Sequence, residues 1–178
     1  MKLSNFISPV LIIGIAAVLR LVPHPANVAP IAAMALFGGA YLNKRYALIV
    51  PLVAMFLSDL FLGFHQTMPF VYGSFVLIGL LGLWLRKHKS IPTVLLAGII
   101  SSTFFFLITN FGVWLTGTIY AKSFSGLLSA YTMGLPFYRN TLLGDLGYIT
   151  LFFGGYELIF YKNLLEIKLL YKKIFNFR

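Results

Sequence analysis

From Ile91 to Leu115 the chain carries no charged side chain, a run longer than the roughly 20 apolar residues that cross a bilayer. In hydrocarbon every backbone N–H and C=O must be satisfied within the protein, so such runs become helices. Five more apolar runs accompany it, and the spans read at about residues 6–22, 27–42, 46–63, 69–85, 91–115 and 140–161. With 60% hydrophobic and only 10% charged residues in 178, little remains for a domain outside the membrane. The expectation is a single all-α membrane domain of six transmembrane helices. The first run is followed by Arg20, Pro23 and Pro25 instead of a small-residue cleavage site, so it reads as a span and not as a signal peptide.

The formal charge of +10 would suggest nucleic acid in a soluble chain, but here the cations gather at the ends of apolar runs and no nucleic-acid partner is expected. If six helices alternate, all of the 14 Lys and Arg except Arg20, Lys122 and Arg139 fall on one side. The positive-inside rule then places both termini in the cytoplasm of a multi-pass inner-membrane protein. The basic tail, 162–178, spaces Lys168, Lys172 and Asn176 as on one helix face, so it reads as an interfacial helix on anionic membrane lipids or as the frayed end of the last span. Residues 116–138 form the longest connection, with Gly134 and Pro136 as turn residues, and read as a partly helical outer lid.

Polar residues collect at the side opposite the basic clusters. Four acidic residues occur in the whole chain, and Asp59 and Asp145 sit inside apolar runs, where a carboxylate is costly and tends to face a polar cavity. With these spans Asp59, Asn110 and Asp145 lie at one depth, roughly 6–8 Å below the outer surface at 1.5 Å per residue. Around them come Arg20, His24, Asn27, His65, Tyr72 and Arg139, which together describe a wet outer pocket sealed below. Each has a plainer reading. Asp59 can be a structural ion pair with Arg20 or Arg139, Asp145 a helix-end anchor, Tyr72 part of an aromatic belt, and His24 and His65 amphipathic surface residues. Ala29, Ala33, Ala35 and Gly39, with Gly79 and Gly82, suit close helix packing. No phosphate-binding loop, zinc-protease motif or nucleophile elbow is present, so no enzyme, metal or cofactor is expected.

The run from Arg20 through Pro23, His24, Pro25, Asn27 and Pro30, then Ser58-Asp59 with Gly63 and His65, then Asn110 to Trp114, then Leu135 to Asp145 with Arg139 and Asn140, resembles a family of small bacterial membrane proteins. That family looks like the S components of energy-coupling-factor vitamin transporters, nearest the solitary vitamin B12 uptake proteins. The resemblance implies an S-component-like bundle that captures a vitamin-like small molecule from outside. It matches His24, Asp59 and Arg139 to pocket residues and places Tyr72 near a cobalt-binding cysteine. This chain has no cysteine, so thiolate ligation of cobalt is impossible. Its first helix also lacks the Ala-x-x-x-Ala pattern by which S components dock on an energising module. A membrane scaffold for cell-envelope machinery and an enzyme acting on lipid substrates are the rival expectations.

Overall fold

The computed structural model describes residues 4–23, 25 and 27–159. Among these all regular structure is helical: α1 (Ser4–Leu19), α2 (Ile31–Tyr41), α3 (Ile49–Leu62), α4 (Met68–Leu85), α5 (Ile91–Thr116) and α6 (Phe124–Ile149). A π-helical turn, Thr150–Gly154, follows α6 directly and helix continues to Ile159. Three helices are long and apolar enough to cross a membrane: α4, α5 and the continuous helix Phe124–Ile159. His24 and the tail helix expected over 162–178 lie outside the described residues.

The element that organises the bundle is α2. Its sequence is apolar all round, which is the mark of a helix enclosed on every side. Every residue from Ala32 to Ala40 is buried. At 11 residues it rises only about 16 Å, half of a bilayer core, so α2 is the short axle of the bundle, and its helix alone does not cover a bilayer's thickness. Glycine lets α4 close on it: a Cβ at Gly39 would stand 2.4 Å from Gly79 O, and one at Gly82 would stand 2.4 Å from Leu36 O.

Each end of α2 meets a charged side chain of the opposite sign. The Arg86 guanidinium donates to Gly39 O at 2.9 Å and also to Leu42 O, satisfying carbonyls at the negative end. At the positive end the Asp145 carboxylate faces the N–H of Ala32. Arg86, Lys87 and Lys89 after α4 share the end of the bundle where Lys44 and Arg45 follow α2, and the Arg20–Asp59 pair lies toward the other.

Helix bounds agree with the sequence expectation within a few residues, except at the second and sixth. α2 begins at Ile31, after Asn27 and Pro30, because Asn27 takes the left-handed φ of +63° that turns the chain back into the bundle. α6 begins at Phe124, capped by Ser123, whose side chain accepts from Gly126 N at 3.2 Å, and not at Asn140. The expected lid over 116–138 is thereby corrected to a short turn and a helix packed along α5. Gly134 and Pro136 stay helical because Gly134 lets α5 approach: a Cβ there would stand 2.5 Å from Asn110 Oδ1.

Candidate functional site

Arg20 directly follows α1 and reaches across to α3. Its guanidinium donates to Asp59 Oδ1 at 2.8 Å, to Met55 O at 3.2 Å and to Ser58 Oγ. The second oxygen of Asp59 accepts from the Tyr72 hydroxyl of α4 at 2.7 Å. One carboxylate, 3% exposed, therefore knots α1, α3 and α4 with charge-assisted bonds.

Asp145 makes a second knot from the other three helices. From α6, its Oδ2 accepts from Ser102 Oγ of α5 at 2.7 Å, while the carboxylate also faces the Ala32 N–H of α2. It is 2% exposed. A buried carboxylate without a cation is tolerable here because a hydroxyl, a backbone N–H and the positive end of α2 all face it.

A cavity of about 220 Å³ lies between the two knots. Arg20 and Leu62 line it from the first group, Ala32, Phe105, Thr141 and Asp145 from the second, and Asn27 from the linker. The site thus offers a guanidinium and a carboxylate with apolar surface between them. Both charged groups already hold partners, which keeps them ordered without any occupant. Among the described residues no three His, Asp or Glu side chains converge in a way that could hold a metal ion.

Of the expected site residues, the cavity brings together Asn27 and Asp145, while Asp59 and Tyr72 stand behind it as the support of Arg20. Three do not join. His65 is exposed and hydrogen-bonds Thr67 Oγ1 at 2.8 Å, and Arg139 is exposed on α6. Asn110 donates to Phe106 O in its own helix and packs on Gly134; it lies eight residues, about 12 Å, along α5 from Ser102. The common depth of Asn110 and Asp145 was an artefact of starting the sixth helix at Asn140. Asp145 is likewise not near the start of its own helix; the helix end it anchors is that of α2.

Ser102 and Thr141 were missed as site residues, whereas Arg20, expected beside the pocket as an ion-pair partner of Asp59, both makes that pair and lines the cavity. Serine and threonine in apolar helices ordinarily bond back to the carbonyl four residues earlier, as Thr141 does to Phe137 O at 3.0 Å, so their presence alone signals nothing. Ser102 does so too, to Gly98 O at 3.1 Å, and its contact with Asp145 needs the pairing of α5 with α6 to become visible.

Fold and site together define an apolar protein, helical throughout its described regular structure, with three helices long and apolar enough to cross a membrane and a small polar cavity at the N-terminal end of α2, away from the basic clusters. The chain belongs to a family described as of unknown function, DUF6580, whose model matches residues 2–167. No curated protein and no solved structure matches it.

Proposed function

We propose that this is a multi-pass protein of the bacterial inner membrane that binds a compact, vitamin-like solute from outside and takes part in its uptake. The observation that carries the reading is the cavity between the two aspartate knots, at the end that the positive-inside rule turns outward. Six alternating helices with both termini inside, in the manner of an S component, are part of the same proposal. An apolar hole of about 150 Å³ holds benzene, so about 220 Å³ suits a single ring with a few polar substituents. A corrinoid would require the two knots to part.

In this reading Asn27 and Thr141 orient the solute by hydrogen bonds, Phe105 and Leu62 cover its apolar face, and Arg20 and Asp145 set the polarity of its two ends. Binding, not bond making, is the chemistry on offer, since both charged groups are engaged in holding helices. Without a phosphate-binding loop of its own the chain would draw energy from a partner, for which an energising module of the energy-coupling-factor type is the candidate.

Thermal unfolding of the purified chain against single-ring vitamins, corrinoids and nucleobase precursors tests this. A solute that raises the transition temperature should lose that effect in Asn27→Gly, which keeps the left-handed backbone but removes the amide, and in Thr141→Val. If no solute stabilises the protein, or if both variants respond like the parent, the uptake reading fails and a scaffold is the better account.

A further inference from the structure

α5 and α6 are tightly paired through Gly98, where a Cβ would stand 2.7 Å from Ile149 Cδ1. Beyond that contact, at the π-helical turn Thr150–Gly154, the two helices leave a wedge of about 720 Å³ that reaches the basic end of the bundle. π-turns inside helices recur at functional sites, and this one forms a wall of the wedge. The deep lining is apolar, with Val94, Leu95, Ile149 and Phe153.

The mouth is polar. Glu157 Oε1 accepts from the Tyr41 hydroxyl at 2.5 Å and from Lys89 Nζ at 3.4 Å, and the Lys89 ammonium lies 4.1 Å from the centre of the Tyr41 ring. Glu157 takes one of the three donors of that ammonium. A slot that is apolar within and holds an ammonium at the rim, at the level where α4 ends and α5 begins, complements an amphiphile with a phosphate head once that phosphate replaces the carboxylate of Glu157.

We infer that the wedge between α5 and the π-turn is a binding site for an anionic phospholipid of the surrounding bilayer, acyl chain inward and phosphate on Lys89. It is separate from the outer cavity and from the uptake reading. Glu157 then acts as a placeholder: it holds Lys89 at the mouth until the phosphate takes over.

The test is retention of phosphatidylglycerol by the full-length protein through detergent washing, counted by native mass spectrometry. Lys89→Gln should weaken retention roughly fivefold, the value of one lysine at an anionic surface. Glu157→Gln should strengthen it, and Leu95→Trp, which fills the slot without changing charge, should abolish it. A Lys89–Glu157 pair of purely structural value would make the first two variants weaken retention alike, and that result overturns the inference. Retention unchanged in Leu95→Trp, competition by glycerol phosphate as effective as by the lipid, or displacement of the lipid by a second copy of the chain would overturn it too.

Discussion

A guanidinium and a carboxylate taken out of water hold each other in place, and each becomes a liability when the other is removed. Arg20 and Asp59 are both under 10% exposed and share their hydrogen bonds with Ser58, Met55 O and Tyr72. Asp59→Asn should therefore lower stability by about 3–5 kcal/mol, because it leaves the Arg20 charge buried and uncompensated. The double variant Arg20→Met with Asp59→Leu should recover most of that loss, since an apolar pair of similar volume avoids the desolvation cost. Thermal unfolding of the three proteins in one detergent decides it; a double variant no better than Asp59→Asn would mean that the bonds to Ser58 and Tyr72 dominate. The rarity of acidic residues marked both aspartates as important. It could not divide their labour, because whether a carboxylate faces a ligand or a neighbouring cation depends on contacts across 39 residues of chain, as between Arg20 and Asp59.

At the scale of elements, the axle α2 and its closure against α4 follow from residues that look weak in isolation. The small residues Ala33, Ala35, Gly39, Gly79 and Gly82 were legible as a packing surface, because backbones approach closely only where side chains are short. The start of α6 was not legible: Gly134 and Pro136 carry turn chemistry, and only the approach of Asn110 and Phe106 explains why the helix runs through them. Glycine substitutions separate the two kinds of position. Gly82→Ala would press its methyl to 2.4 Å from Leu36 O, backbone against backbone, and should cost about 1–3 kcal/mol as α2 and α4 are forced apart. Gly73→Ala, also in α4 but with nothing within 4 Å, should stabilise by about 0.5–1 kcal/mol through helix propensity alone. Opposite shifts in unfolding temperature are the expected outcome, and a loss at both positions would argue that the α2–α4 contact is not special.

At the scale of the whole molecule, the two ends of the bundle are built differently. Toward the basic end α2 and α4 are locked through Gly39, Gly79 and Gly82, and Arg86 ties the end of α2 to the end of α4. At the opposite end the six helices are gathered into two threes, one on Asp59 and one on Asp145, with the cavity on the seam between them. In the uptake reading, the seam widens to admit the solute while each knot stays closed. Cysteine labelling can follow the seam, because the chain has no cysteine of its own. Leu62→Cys lines the cavity, and its neighbour Phe61→Cys, 79% exposed, does not. In intact cells an impermeant thiol reagent should label both positions and should not reach His88→Cys at the basic end. A bound solute should slow labelling at position 62 severalfold and leave position 61 unchanged. Equal protection at both would place the solute outside the seam, and labelling at 88 alone would invert the orientation on which the uptake reading rests.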